Sequence, residues 1–302
     1  MMRRKIMFSI LMAIMLVTGM VGTGSVLAVS EKVEEAVNSY FANLPEDNSM
    51  IAEDSFIEKV KSGERLFILD IRQADVYNEG HIKGAINLPW GPDAIPENLD
   101  KLPADETIYV YCYTAQTANQ AVALLNFAGF EAKSVRFGWN LGISRVAGYE
   151  AVVETKNNEL EGTSPYKIAP EIKEAIVDYY QGLADVDGTM FKNYKISEDL
   201  LKMTIDAEQD IIILSIRQSS AYSKGHIPGA INIPWGKGMQ EYFGQLPADK
   251  KIVVYCYTGQ TAGQAVAGLR MLGYDAVSLN GGMGTAANKP YGWSNKGYEI
   301  VK

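Results

Sequence analysis

Short apolar runs alternate along this chain with segments whose apolar residues recur at helical spacing. Residues 66–69, 107–111 and 251–255 are mostly apolar or β-branched, without the strict alternation that marks a half-exposed strand. Residues 31–43 have the periodicity of an amphipathic helix, and residues 53–61 form a second helical segment. Strands buried on both faces that alternate with helices predict an α/β fold with a central, mainly parallel sheet flanked by helices.

The pattern occurs twice. Residues 72–90 match residues 217–235 at a constant offset of 145, and the segments around the only two cysteines, Cys112 and Cys256, match at an offset of 144. A solenoid unit spans about 20–50 residues, so a repeat of this length predicts a duplicated domain.

A polar segment at 156–170, which contains Gly162, Pro165 and Pro170, separates the two copies. We therefore predict a first domain at 31–155, a linker at 156–170, and a second domain at 171–302 that opens with a helix.

The N-terminus has the composition of a targeting segment. Residues 3–5 are basic, residues 6–20 are apolar, and residues 26–28 offer small side chains at a cleavage site. We expect a signal peptide at 1–28 and export to the periplasm, the cell envelope or the exterior, with a retained membrane anchor as the alternative. Its removal would change the formal charge from −8 to −11. An acidic chain without a Lys/Arg cluster is not expected to bind nucleic acid.

Each cysteine follows a predicted strand and precedes a predicted helix. Main-chain N–H groups and the positive end of the helix dipole converge at such a turn and favour the thiolate, which is the nucleophilic form. One alternative is a Cys112–Cys256 disulfide, but equivalent positions in two repeats normally lie in separate pockets. The other is burial as a small apolar side chain.

His81 and His226 are the only histidines, and both lie in a Gly-His-Ile-x-Gly-Ala turn. Their spacing from the cysteines does not match a zinc site. We expect them to make structural hydrogen bonds, and we expect no metal and no organic cofactor.

Three motifs follow one another in each half: Asp-x-Arg (Ser-x-Arg in the second copy), Gly-His-Ile-x-Gly-Ala-Ile-Asn-x-Pro, and a Tyr-Cys-Tyr-Thr loop that leads into a helix. Together they resemble the rhodanese domain, over residues 50–155 and 195–302. The resemblance implies two tandem rhodanese-like domains in which a cysteine accepts a sulfane sulfur inside a six-residue loop. It identifies Cys256 and Cys112 as catalytic. The substrate-binding loops would contain Tyr257, Thr258, Gly259, Gln260 and Thr261, and Tyr113, Thr114, Ala115, Gln116 and Thr117.

The loops depart from the pattern of that family in their charge. Many of its members end the loop with arginine, where this chain has Thr117 and Thr261, and neither loop carries Lys or Arg. We therefore expect weak thiosulfate binding, with Arg217 and Arg72 as possible anion contacts.

The two copies also differ from each other. Ala115 stands where the second loop has Gly259, and alanine would be strained if that position requires a positive φ. Ser215 stands where the first copy has Asp70. The glycine makes Cys256 the stronger candidate of the two cysteines.

We therefore expect a sulfurtransferase that moves sulfane sulfur from thiosulfate or polysulfide, through a cysteine persulfide, to cyanide or to a thiol acceptor, a thiol acceptor protein included. The alternative is a non-enzymatic sulfane-sulfur carrier. A related phosphatase is disfavoured, because this chain has Ala118 and Ala262 where such enzymes place an arginine.

Overall fold

The computed structural model describes residues 29–302. The expected signal peptide at 1–28 lies outside the described residues. Within them, no helix has both the length and the apolar character needed to cross a bilayer.

The described part of the first half, from residue 29, contains one five-stranded sheet, a short antiparallel pair of strands and six α-helices. These elements are α1 (Glu31–Ala42), β1 (Met50–Ile51), α2 (Glu53–Lys61), β2 (Phe67–Asp70), α3 (Ala74–Glu79), β3 (His81–Ile82), β4 (Ala85–Asn87), α4 (Ala94–Asn98), β5 (Ile108–Tyr111), α5 (Gln116–Phe127), β6 (Ala132–Val135), α6 (Gly138–Leu141) and β7 (Val153–Glu154).

The second half has one five-stranded sheet and four α-helices. These elements are α7 (Pro170–Val186), β8 (Lys195–Ile196), α8 (Glu198–Asp206), β9 (Ile211–Ser215), α9 (Ser219–Tyr222), β10 (Ile231–Asn232), β11 (Lys251–Tyr255), α10 (Gln260–Met271) and β12 (Ala276–Leu279).

Both large sheets are parallel throughout and have the same strand order. The first runs β1-β6-β5-β2-β4, and the second runs β8-β12-β11-β9-β10. Each strand of the first sheet thus has a counterpart in the second sheet, and the two counterparts have equivalent neighbours. The predicted α/β fold with two repeated, helix-flanked parallel sheets is confirmed.

The central strands β5 and β11 position the cysteines. All four residues of β5 are buried, and so are the last four residues of β11. Each strand is followed directly by a cysteine and, three residues later, by the N-cap of a long helix. Both cysteines therefore lie at the edge of the sheet where the carboxyl ends of the strands meet. In open parallel sheets, ligands bind at this edge.

The two halves share one contiguous core, in which α5 packs against α10. Gly263 allows the close approach, because a Cβ at this position would lie 2.5 Å from the carbonyl oxygen of Gln116. The buried Gln264 side chain donates to the Asn48 carbonyl at 2.8 Å and to Asn119 Oδ1 at 2.5 Å, and it accepts from the Tyr40 hydroxyl at 2.8 Å.

The first helix of each half packs across this junction. In α1, the Phe41 ring lies 5.9 Å from the Trp235 ring of the second half, centroid to centroid. In α7, the Tyr180 ring lies 5.1 Å from the Trp90 ring of the first half. The first helix of each half therefore covers the equivalent tryptophan of the other half.

Candidate active site

The Cys256 loop holds its sulfur at the start of α10. Gly259 is the N-cap residue of this helix and has φ +86°. Its main-chain N–H points to Cys256 Sγ at 3.1 Å. The cysteine is 3% exposed. An N–H donor and a helix N-terminus on one sulfur favour negative charge there.

The Cys112 loop has the same shape. Ala115 is the N-cap residue of α5 and has φ +66°, so alanine does occupy a left-handed position. The closest N–H donor to Cys112 Sγ comes from Ala118, at 3.4 Å. The strain of a left-handed alanine, about 1–2 kcal/mol, falls on the Cys112 loop and is absent from the Cys256 loop.

A turn that contains a glycine is hydrogen-bonded to the main chain of each cysteine loop. Met283 donates its N–H to the Cys256 carbonyl at 2.8 Å, and Trp139 makes the same bond to the Cys112 carbonyl at 2.8 Å. The residue before each, Gly282 or Gly138, has φ +61° or +62°. A Cβ on either glycine would lie within 3.0 Å of three main-chain atoms of the cysteine loop. These glycines therefore set how closely the turn can approach the loop.

Cys256 opens into a cavity of about 430 Å³ at the junction of the two halves. The second half supplies most of the wall, including Tyr257, Thr258, Gln260 and Thr261 of the predicted loop. The first half supplies Asn48, Met50, Arg136 and Phe137.

The remaining loop residues have varied roles. Gln116 donates its amide to Ser278 Oγ at 2.7 Å and to the Leu279 carbonyl at 3.0 Å, so it joins the two halves. Gln260 accepts from the Phe137 N–H at 3.1 Å.

The first loop keeps its other side chains close to its own half. The Tyr113 hydroxyl accepts from the Gln73 N–H at 3.3 Å, and Thr117 is buried in the first turn of α5. A small cavity between the two loops is lined by Thr114 and Thr258.

Arg72 lies in a buried ion pair and does not line the Cys256 cavity. It contacts both carboxylate oxygens of Asp70, with a closest distance of 2.5 Å, and donates to the Gly80 carbonyl at 2.8 Å. Burial disfavours its charge, but the hydrogen bonds and charge of Asp70 outweigh burial, so the pKa of Arg72 is raised.

Arg217 occupies the equivalent position without a carboxylate partner, since Ser215 replaces the aspartate. It donates to the Gly225 carbonyl at 2.5 Å, and its guanidinium lies 5.4 Å from the Tyr255 ring centroid. Its Nε finds no partner among residues 29–302. Arg217, like Arg72, is not part of the Cys256 cavity wall.

The histidines make main-chain contacts. His81 is buried and stacks on Tyr77 at 3.6 Å, and its two ring nitrogens lie 2.8 and 3.0 Å from the Tyr77 and Lys156 carbonyl oxygens. His226 stacks on Tyr222 in the same way. In the part of the chain that the structure describes, no cluster of three metal-ligating side chains occurs and both cysteines are free thiols.

The sequence analysis missed the cation that the structure brings to this site. Arg136 follows β6, 120 positions before Cys256 along the chain, yet it lines the Cys256 cavity. Its counterpart in the repeat is Asn280, so the repeat gave no hint of a cation there. The only available signal was its place just before the Phe137-Gly138 turn, which corresponds to the Gly281-Gly282 turn of the second half.

A sequence profile of the rhodanese-like domain matches this chain twice, at residues 53–142 and 197–287. The thiosulfate sulfurtransferase GlpE of Shewanella oneidensis is 33% identical over 93 residues, which are 30% of this chain and 88% of GlpE. YrkF of Bacillus subtilis, described as a candidate sulfur carrier protein, is 30% identical over 81 residues, 27% of this chain. The match spans 43% of YrkF, less than half of its length.

Among solved structures, a rhodanese-related protein from Thermoplasma volcanium is 30% identical. The alignment covers 35% of this chain and 96% of that protein, with a TM-score of 0.31.

Proposed function

The chain belongs to the rhodanese-like domain family, and from that premise we propose that it is an exported sulfurtransferase that carries sulfane sulfur on Cys256, with Cys112 as a second site. The observation that carries the proposal is the Cys256 sulfur. It lies at the wall of an open cavity, at a helix N-terminus, with a main-chain N–H at 3.1 Å. The main-chain N–H and the helix N-terminus are placed to stabilise negative charge on the reacting sulfur.

The reaction has two half-reactions. The Cys256 thiolate attacks the outer sulfur of thiosulfate, the S–S bond of the donor breaks, and sulfite leaves with the bonding electron pair. A polysulfide donor would instead release a polysulfide one sulfur shorter. The terminal sulfur of the cysteine persulfide is then attacked by cyanide or a thiolate, which takes that sulfur and restores the Cys256 thiolate. Such covalent catalysis predicts ping-pong kinetics.

Intact-mass spectrometry after incubation with thiosulfate or polysulfide tests this proposal. Each loaded cysteine gains one sulfur atom, about 32 Da, which dithiothreitol removes. The Cys112→Ser and Cys256→Ser variants assign the gain to a site, and the double variant is the control. A wild-type chain that gains no sulfur from either donor would refute the proposal.

A non-enzymatic sulfur carrier is the second candidate, favoured by the absence of Lys and Arg from both loops. Cyanide distinguishes the two. A transferase forms many thiocyanates per chain when donor is in excess, whereas a carrier releases at most one for each loaded cysteine.

A further inference from the structure

The Cys256 cavity receives a positive charge from the opposite half of the chain. Among residues 29–302, Arg136 is the one formally charged residue in its wall. The main chain holds it in place on both sides, because its N–H donates to the Ile51 carbonyl at 3.0 Å and the next N–H, of Phe137, donates to Gln260 Oε1 at 3.1 Å. Gln260 is the first residue of α10, so the residue that follows Arg136 is hydrogen-bonded to the helix that begins after the cysteine loop.

The Arg136 guanidinium is available for a ligand. Arg136 is exposed, and within residues 29–302 its side chain makes no ion pair and no hydrogen bond. Arg217, the other arginine near Tyr257, is buried and bound to the Gly225 carbonyl. A guanidinium beside an anion-stabilising loop is suited to a sulfonate or a terminal sulfur anion.

We propose that Arg136, contributed by the first half, binds the negative end of the sulfur donor while the donor's outer sulfur meets Cys256 of the second half. The inference rests on the proposed function for the identity of the donor, but anion recognition at Cys256 can be measured without it. The substrate class of this site is then an anionic sulfur compound, and Arg136 is its specificity-determining residue.

The strand registers place a cation from the second half near Cys112 in the same manner. Met50 of β1 pairs with Ser134, and Lys195 of β8 pairs with Ser278, so Lys195 stands where the Cys256 cavity has Met50. Burial lowers the pKa of the half-buried Lys195 ammonium, and the negative charges of a Cys112 thiolate and of Glu198 oppose that shift. Each site thus draws its cation from the other half, but from a different position.

Two alkylating agents of similar size, one anionic and one neutral, test the proposal. Iodoacetate is an anion and iodoacetamide is neutral; with both, a bond forms between Sγ and carbon and iodide leaves. The ratio of their rates cancels changes in thiolate content and reports attraction of the anion alone. Peptide mass spectrometry measures this ratio at Cys256 and Cys112 in the same chain.

In Arg136→Gln, the ratio of iodoacetate to iodoacetamide rates should fall roughly fivefold at Cys256 and stay unchanged at Cys112. Lys195→Met should give the reverse pattern. Arg136→Lys should keep part of the preference at Cys256. Arg65→Gln removes the same charge from an exposed residue outside the cavity and should alter neither ratio.

An unchanged ratio at Cys256 in Arg136→Gln, or an equal fall at both cysteines, would overturn the proposal. Failure of the proposed function looks different. The chain would then gain no sulfur from thiosulfate or polysulfide, while the ratio at Cys256 would still depend on Arg136.

Discussion

Gly282→Ala should disable the Cys256 site while leaving the fold in place. The new Cβ would lie 2.6 Å from the Cys256 carbonyl oxygen, 2.8 Å from the Gly259 nitrogen and 3.0 Å from the Thr258 nitrogen. All three are main-chain atoms of the cysteine loop, which cannot rotate aside as a side chain would. The loop has to move, and with it the N–H that stabilises the sulfur.

Two costs add in this variant. An alanine at φ +61° costs about 1–2 kcal/mol, and overpacking against main chain typically costs a further 1–3 kcal/mol or so. Gly229→Ala is the matched control, because Gly229 has φ +76° in the same half and a Cβ there meets nothing within 4 Å. The control should therefore show the first cost alone.

Denaturant titration measures the loss of stability, and the rate of sulfur transfer through Cys256 measures the damage to the site. We expect Gly282→Ala to lose about 1–3 kcal/mol more stability than Gly229→Ala, and its Cys256 to transfer sulfur at least about tenfold more slowly, since small misplacements of reacting groups are costly. If the two variants lose equal stability and Cys256 reacts at the wild-type rate in both, the turn does not determine the shape of the loop.

Three further predictions follow from the site and the junction. Cys256→Ser should remove most sulfur transfer to cyanide and Cys112→Ser should leave a substantial fraction, because only the second loop has glycine at its left-handed position; equal losses in steady-state assays would contradict this ranking. Ser215→Asp should raise the free energy of unfolding by about 1–3 kcal/mol, because it gives the buried Arg217 a carboxylate partner; a denaturant titration that shows a decrease would refute that pairing. Gln264→Leu should lower the free energy of unfolding by about 2–4 kcal/mol, because it leaves buried partners in both halves unpaired, and stability within experimental error of wild type would show that the junction does not depend on them.

The repeated fold could be predicted because each half provides independent evidence for it. The buried strand patterns at 66–69, 107–111 and 251–255 correspond to β2, β5 and β11, which are inner strands of the two sheets. The position of each cysteine between strand and helix followed from the same local pattern. The expected helix at 53–61 has those bounds in the structure, and the helix expected to open the second domain spans Pro170–Val186.

The composite cavity could not be predicted, because it depends on how the two halves pack. Arg136 has no charged counterpart in the repeat and is far from Cys256 in sequence. Phe41 belongs to a helix whose amphipathic pattern was visible in the sequence, but periodicity does not reveal which tryptophan its apolar face covers. Local sequence patterns specify helices and strands. Which residues meet across the junction depends on how the surfaces of the two halves fit together.

The crossing of α5 and α10 also bears on how the two copies can evolve. Asn119 of α5 corresponds to Gly263 of α10, and the absent side chain at Gly263 is what admits the Gln116 carbonyl. Recombination between the copies that made this position asparagine in both would put a side chain into occupied space. At this position one copy can therefore no longer replace the other. The two helices are therefore complementary and not interchangeable, and genetic exchange that restored their likeness would disrupt the packing of α5 against α10.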